Sequence, residues 1–524
     1  MVKNVAVIGA GISGLVAIKS CLEEGLEPIC FERSDDIGGL WRFSDNMEDG
    51  RASIYKSLVT NVCKEIMCLS DFPMPEDFPN FLPHHKFFEY CRMYAEHFKL
   101  VKYIRFKTKV INVQRKSDFS VTGQWVIETN CDGKTESAIF DAVMICTGQH
   151  EQPVFPLDSF SGIKKFKGQI MHCREYKRPV GFDGKQVLIV GMGNSGVDIA
   201  TELCTKAAKV YLSTRSGVWV LRRLGEGGYP WDLHFITRFK SWIRTTAPPS
   251  IARWLLKKYM NEQFNHHFYG IQPEGIMWKE PLVNEELPSR ILTGTIVIKP
   301  GVKEFTETSV CFEDGTRVDN LDVVIFATGY QFSFPFLEKS VIKVDDSKGF
   351  LYKKVIPVNL QKPTLAVIGL VLPIGPIMVL AELQSRWATR LFKGKESNHN
   401  KNMVYIIQKQ TFFFTKDNSR RTEYTKYLDD LASQIGAKPN IFKMFLTDPV
   451  LASKVLFGPC NSYQYRLTGP GMWPGAREAI ITQWKRIKKP LLTRVVEDDS
   501  HLPLTLHRWF IWFVVLLGAV WVMA

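Results

Sequence analysis

Val5-Ala-Val-Ile8 followed by Gly9-Ala10-Gly11-Ile12-Ser13-Gly14 is the stretch on which the fold turns. An unbroken apolar run suits a strand buried on both faces of a parallel sheet. Gly9 then makes the tight turn, Gly11 lets a pyrophosphate approach the backbone, and Gly14 lets the next helix pack closely on the strand. That helix runs to about Gly25, and its N-terminus offers free N–H groups and a positive dipole end to phosphate. A second apolar run, Pro28–Phe31, ends in Glu32, where a carboxylate accepts from both hydroxyls of a ribose. The glycine fingerprint alone is a weak signal; strand, turn, helix, strand and acid in succession is a strong one. Glu32 demands an unphosphorylated ribose, which fits FAD or NAD. Ile37-Gly38-Gly39-Leu40-Trp41 tips the reading to FAD, because its two glycines let the chain turn back against a bound cofactor. Asp141–Gly148 and Asp322–Tyr330 each read as a buried strand ending in Thr-Gly, where backbone meets cofactor again.

A second unit repeats the pattern. Lys185–Val190 is a buried-strand run, Gly191-Met-Gly193-Asn-Ser195-Gly196-Val197-Asp198 is the turn, a helix follows to about Ala207, and Lys209–Leu212 is the next strand. The strand-terminal position is not acidic here: Ser213-Thr214-Arg215 stands in place of Glu32. A carboxylate repels a ribose 2′-phosphate, whereas the Arg215 guanidinium grips it, with Arg222 and Arg223 as helpers. One charged hydrogen bond of ~1.5–3 kcal/mol is about a 10- to 150-fold preference for NADPH over NADH. Two nucleotide units of opposite ribose preference imply hydride passing from NADPH to flavin, a class that holds reductases as well as monooxygenases.

The bulk composition bounds the rest. A 524-residue chain with 45% apolar and 23% charged residues is globular and long enough for several domains. The net charge of +14 is scattered rather than gathered on a recognition element, which argues against nucleic acid as a partner. Its local concentrations, Arg215–Lys258 and Lys485–Arg494, read as solvated faces or as attraction to anionic lipid. The 11 cysteines contain no C-x-x-C pair, so neither a zinc site nor a redox dithiol is expected, and no metal is assigned. The thiols are expected to be reduced and cytosol-facing. Trp509–Ala524 is an uncharged run entered through Arg508 and reads as a membrane anchor. As a helix it is about 24 Å long at ~1.5 Å per residue, short of the ~30 Å hydrocarbon core. Residues from Leu504 extend it if Arg508 snorkels, so spanning the bilayer and lying in one leaflet both stay open.

At this point the chain resembles a known family, the flavin-containing monooxygenases of vertebrates. The fingerprint F-x-G-x-x-x-H-x-x-x-Y stands as Phe166, Gly168, His172 and Tyr176, just before the second turn. The likeness continues through Glu24–Pro28, Gly50–Tyr55, Phe305–Thr308, Ala327–Tyr330, Gly469–Gly471 and the apolar terminus. It implies an α/β fold of two Rossmann-like dinucleotide-binding domains, with FAD in residues 1–154 and 331–445. A smaller NADP domain, 155–213 and 296–330, is inserted in it. A helical insertion, 214–295, lies near the active site and membrane, followed by a C-terminal region, 446–508, and a membrane anchor, 509–524. His172 is implied to be structural, in a bridge between the nucleotide domains.

The resemblance also implies a cycle: NADPH reduces FAD, O2 adds at the flavin C4a, and the hydroperoxide hands one oxygen to a soft nitrogen or sulfur of a small lipophilic substrate. Asn61 is implied as the residue beside the flavin, with Thr60 and Val62 as its cofactor-binding neighbours, and Ser195, Gly196, Val197 and Asp198 as NADP(H) contacts. Implied too are membrane lipid as a partner, residence at the endoplasmic reticulum with the catalytic part facing the cytosol, and compatibility with a homo-oligomer. The chain departs from the family at Val62, where Ser or Thr is usual, at Leu372 in place of Gln, and at Val379-Leu380 in place of Pro-Thr. Baeyer–Villiger oxygenation of ketones, uncoupled oxidation of NADPH, and nucleotide binding without catalysis at a membrane are the rival readings.

Overall fold

Both quoted turns open onto five-stranded parallel sheets. The computed structural model describes residues 2–494 except 49, 151, 274–280, 343, 346, 347, 350 and 395–420. The strands that matter are β1 (Asn4–Ile8), β2 (Glu27–Phe31), β3 (Ile104–Arg105), β4 (Ala142–Ile145) and β5 (Gln169–His172). They continue with β6 (Gln186–Val190), β7 (Lys209–Ser213), β8 (Ile296–Lys299), β9 (Val323–Phe326) and β10 (Leu365–Val367). The first sheet has the order β10-β4-β1-β2-β3 and the second β8-β7-β6-β9-β5, every neighbouring pair parallel. In each, the strand before the glycine turn lies at the centre, and the next strand in the unit lies on one side of it. The Thr-Gly strand, β4 or β9, lies on the other side, so the turn sits at the switch point where such sheets bind ligands.

The apolar runs form strands because both faces of each sheet are covered. In β1, Val5 and Val7 point to α1 (Ile12–Glu23), while Ala6 and Ile8 point to an antiparallel sheet of Thr108–Arg115, Trp125–Cys131 and Lys134–Phe140. In β6, Val187 and Ile189 face α2 (Asn194–Leu203), while Leu188 and Val190 face a second antiparallel sheet, Val302–Phe305, Val310–Phe312 and Arg317–Val318. This alternation is the period of a strand used twice over. α2 ends at Leu203, short of Ala207, because the bonds beyond it tighten to an i→i−3 pattern, Thr205 N–H to the Glu202 carbonyl and Lys206 N–H to that of Leu203.

The two units differ in how they are closed. α1 packs on α3 (Ile377–Phe392), a helix buried on almost every side. The first sheet therefore depends on β10 and α3, far along the chain, whereas the second is complete within residues 169–326. Residues 214–295 run between the adjacent strands β7 and β8 and contain the helices Trp231–Phe235, Arg238–Thr246, Pro249–Gln263 and Leu287–Leu292. Its tryptophans divide: Trp219 and Trp231 are core, Trp242 and Trp254 are exposed. The C-terminal helices are tied to the first unit by buried charges. Arg486 holds the fully buried Glu65 through two nitrogens, and Arg466 meets Glu23, Asp71 and Glu382. Breaking such a pair strands a charge in low dielectric, at about 3–5 kcal/mol. Among the described residues no helix is long and apolar enough to cross a membrane; Trp509–Ala524 lies outside them.

Candidate functional site

The first turn is a cradle of backbone. Gly9 has φ +98°, and a Cβ there would lie 2.9 Å from the Cys146 carbonyl oxygen at the end of β4. Gly14 has no room at all, since its Cβ would fall 1.9 Å from the Gly9 oxygen. Gly38 donates its N–H to the Ala10 carbonyl, 3.1 Å, and Gly39 approaches Gly11 so closely that a Cβ would stand 3.1 Å from the Gly11 Cα. The Gly38-Gly39 turn thus folds back on the glycine turn, carrying Leu40 and Trp41, and Trp41 packs on Phe87 with ring centroids 4.4 Å apart. Helix geometry leaves the N–H groups of Ile12, Ser13 and Gly14 without partners inside α1, which is what a phosphate needs. Glu32 is buried at the end of β2. Its Oε2 accepts the Ala10 N–H at 2.7 Å and its Oε1 accepts the Ser34 N–H and hydroxyl at 2.8 Å. Oε2 keeps a lone pair for a ribose hydroxyl, and Oε1 gains one when the Ser34 hydroxyl donates instead to the Asp36 carbonyl at 2.8 Å.

The second turn repeats the close contacts and drops the cover. A Cβ on Gly196 would lie 2.2 Å from the Gly191 oxygen, and one on Gly191, at φ +111°, would lie 2.4 Å from the Ala327 oxygen. Gly193, Gly148 and Gly329 would meet nothing within 4 Å, so open space borders both sheets' switch points. Asn194, Ser195 and Gly196 carry the free N–H groups of α2. Arg215 lies just past β7 and is exposed, and no hydrogen bond or ion pair to it is present among the described residues. The residues fit two dinucleotides, one against a carboxylate and one beside an arginine.

Asn61 joins the two units. Its Nδ2 donates to Asn194 Oδ1 at 3.1 Å, inside the second turn, and its Oδ1 accepts from Arg223 Nη2 at 2.9 Å. The Trp231 indole donates to the Asn61 carbonyl at 3.1 Å, and the next residue, Asp232, accepts the Cys63 N–H at 2.6 Å. Arg223 also donates to the Thr60 carbonyl and pairs with Glu285 at 2.9 Å. The insertion therefore clamps Thr60–Cys63 from three side chains. Asp232 is fully buried, its Oδ1 has no partner among the described residues, and burial pushes its carboxyl up to about 7.

Other expected site residues have partners within the protein. Arg223, read as a helper at a 2′-phosphate, holds Asn61 instead. The Val197 side chain is in the core and its N–H closes the first helical bond to Gly193; the Ala10 side chain is likewise buried and its N–H belongs to Glu32. Asp198 accepts from Tyr55 and Asn284, and burial raises its carboxyl. The Thr60 hydroxyl is taken by the Val62 carbonyl and the Leu82 N–H, so it shapes the loop, while Val62 packs against the first core. His172 ends β5, buried between Phe155 and Tyr330, its ring pushed down to about 4 by burial. The following Arg174 and Lys177 bind Glu48, Arg51 and Ser53, so the fingerprint segment bridges the two units. Sequence reasoning missed Asn194, Trp231 and Asp232. Asn194 had a signal: it is polar where the first turn has Ile12. Among the described residues no cluster of His, Cys, Asp or Glu is placed to hold a metal ion.

Fold and site bring two glycine turns fitted for dinucleotides to one junction. The model of the flavin-binding monooxygenase-like family matches residues 2–524, and the chain belongs to that family. It is 54% identical over 513 residues to dimethylaniline monooxygenase (N-oxide-forming) 2 of Rattus norvegicus, covering 96% of each chain. It is 54% identical over 509 residues to flavin-containing monooxygenase 2 of Homo sapiens, covering 96% of this chain and 95% of the relative. Among solved structures, S-allyl-L-cysteine S-oxygenase from Allium sativum is similar with TM-score 0.63 at 23% identity, over 93% of this chain and 99% of that one. A cyclohexanone monooxygenase mutant from Rhodococcus sp. Phi1 bound to NADP+ is similar with TM-score 0.57 at 15% identity, over 83% and 97%. At those identities the likeness is of fold alone. Membership makes the chain a flavoprotein monooxygenase, which implies a flavin, a reduced nicotinamide, O2 and a substrate to be oxygenated.

Proposed function

We propose that the chain holds FAD on Gly9–Gly14 and Glu32, takes NADPH on Gly191–Gly196 and Arg215, and oxygenates soft nitrogen or sulfur centres of small lipophilic molecules. The observation that carries this is the Asn61–Asn194 hydrogen bond, which ties the residue expected at the flavin to the turn expected to take the nicotinamide nucleotide. When bound, the flavin supplies the oxygen chemistry; the protein's task is binding, orientation and exclusion of water. Glu32 accepts the ribose hydroxyls, the two helix N-termini take the pyrophosphates, and Arg215 takes the 2′-phosphate. Asn61 is left with one N–H beyond that given to Asn194, and donates it into the junction. No strong acid–base pair is needed, since the substrate lone pair is the nucleophile. The relatives named for N-oxide formation support the choice of a soft nitrogen centre, and sulfur is a soft nucleophile of the same kind.

The same reading places the chain at the endoplasmic reticulum membrane, its catalytic part in the cytosol. Exposed Trp242, Trp254, Phe442 and Leu446, with Arg253, Lys257 and Lys258 beside Trp254 in sequence, support contact with lipid. The test of the chemistry is incubation of the flavin-loaded protein with NADPH, O2 and, separately, a thioether, a tertiary amine and a ketone. Sulfoxide and N-oxide formed in step with NADPH oxidation are expected. An ester from the ketone alone, or NADPH consumed to H2O2 with no oxygenated product, overturns the proposal.

A further inference from the structure

A cavity of about 730 Å³ lies beside the outer face of α2, walled by Tyr55–Val59, the turn at Arg223–Pro230, and Pro490 with Leu491. None of the glycine-turn residues Gly9–Gly14 or Gly191–Gly196 lines it. The volume suits one drug-sized organic molecule. Its charged lining is Asp198, Glu202, Glu285 and Glu286 against Arg223 and Arg290. Arg223 pairs with Glu285 and Arg290 with Glu286, both at 2.9 Å, so the two cations are matched. The other two carboxylates are bound by neutral donors: Asp198 by Tyr55 and Asn284, Glu202 by Ser57 and Tyr176. The lining thus carries two more carboxylates than cations, with neither Asp198 nor Glu202 in an ion pair, although Arg223 acts on Asp198 at longer range. The rest of the wall is largely apolar, with Phe81, Leu224, Pro490 and Leu491. Asn80 also lines it, 8% exposed, with an Oδ1 that has no hydrogen-bond partner among the described residues. Acceptors without cations, set in low-dielectric walls, attract a positive head, and the apolar wall suits a hydrocarbon body.

The same Arg223 guanidinium that lines the cavity donates to Asn61 Oδ1, which sets a fixed positive charge between the cavity lining and Asn61. We propose that this cavity is an antechamber that binds lipophilic organic cations, and that Arg223 retains them there while neutral molecules pass to Asn61. The inference rests on the proposed function only for what lies beyond Asn61. It gives that site a sorting step: an ammonium ion has no lone pair and is held outside, while the free base formed when its proton passes to water is admitted.

The test uses flavin-loaded protein and phenyltrimethylammonium, a cation with no lone pair to oxygenate, against its neutral isostere tert-butylbenzene. By calorimetry the ammonium should bind, and Glu202→Gln, which still accepts from Tyr176, should weaken it by about tenfold without a matching loss for the isostere. Glu286→Arg, at an exposed position, should do the same if the first variant is poorly folded. The flavin spectrum should stay unperturbed by the bound ammonium in the parent and shift in Arg223→Gln. Binding no tighter than the isostere, or indifferent to both carboxylate variants, overturns the antechamber. A flavin shift of equal size in the parent overturns the retaining role of Arg223. None of these readouts needs turnover, so a chain that binds the ammonium yet oxygenates nothing sinks the proposed function and leaves this inference standing.

Discussion

Gly14 and Gly196 hold the same post in two units: a side chain on either would collide with the carbonyl of the glycine that opens its turn, at 1.9 Å and 2.2 Å. Both units put a helix on one sheet face and a three-stranded antiparallel sheet on the other. They part at the mouth. The first turn is roofed by Gly38-Gly39, and Glu32, the acid proposed for the ribose, is buried with its protein hydrogen bonds already in place. The second is unroofed at Gly193, and its arginine is exposed and unengaged among the described residues. Preorganisation lowers the cost of binding, so the first site suits a cofactor that stays and the second a coenzyme that exchanges.

The largest effect expected separates the units outright. Gly14→Ala should yield protein without flavin absorbance, because backbone blocks the methyl and overpacking costs about 1–3 kcal/mol or more. Gly196→Ala should keep its yellow colour and lose reduction by NADPH in stopped-flow. If both variants lose flavin alike, the units are not separable sites. Next comes Arg215→Ala, which should cut the kcat/KM preference for NADPH over NADH by about 10- to 150-fold while leaving flavin content alone. Equal losses with both coenzymes would remove Arg215 from the 2′-phosphate.

Acid should sharpen the contrast further. His172 ends an edge strand of the second sheet and titrates near 4 in the folded chain, against about 6.5 when unfolded. The folded state then binds fewer protons between those values, so its stability is present above pH ~6.5 and lost as pH falls through about 4. Reduction by NADPH should fail before flavin is released as pH is lowered through that window, and His172→Gln should flatten the difference. The smallest effect has the opposite sign. Asp232 holds its proton up to about 7, so its contribution fades as pH rises from ~4 through 7. The melting temperature of Asp232→Asn should gain on the parent between pH 5 and pH 8; a constant difference would mean the carboxyl is already ionised.

What the sequence made legible was local. Gly9, Gly14, Gly191 and Gly196 are dictated by backbone contacts within a turn or against the next strand, and the central strands are apolar because both faces are covered. β3, only Ile104–Arg105, carries no comparable pattern; β10 does, as Leu365-Ala-Val-Ile368 before Gly369, but its pairing with β4 more than 200 residues earlier is tertiary placement that the run itself does not record. The clamp on Asn61 was illegible for a different reason. Arg223, Trp231 and Asp232 reach it from another unit, so their roles follow from tertiary placement that no spacing records. From sequence Arg223 reads as a helper beside Arg215 at a 2′-phosphate, and no spacing separates the exposed Trp242 and Trp254 from the buried Trp219 and Trp231.

The late arrival of β10 and α3 bears on how the chain is made. A ribosome releases the whole second sheet, through Phe326, before it has supplied the strand and helix that cover the first. The N-terminal unit is therefore the first to be synthesised and the last to close, with β4 and α1 left uncovered in the meantime. Nascent chains paused at about residue 370, which frees Phe326 from the exit tunnel while α3 is not yet made, should protect the second sheet from protease while the first is still cut.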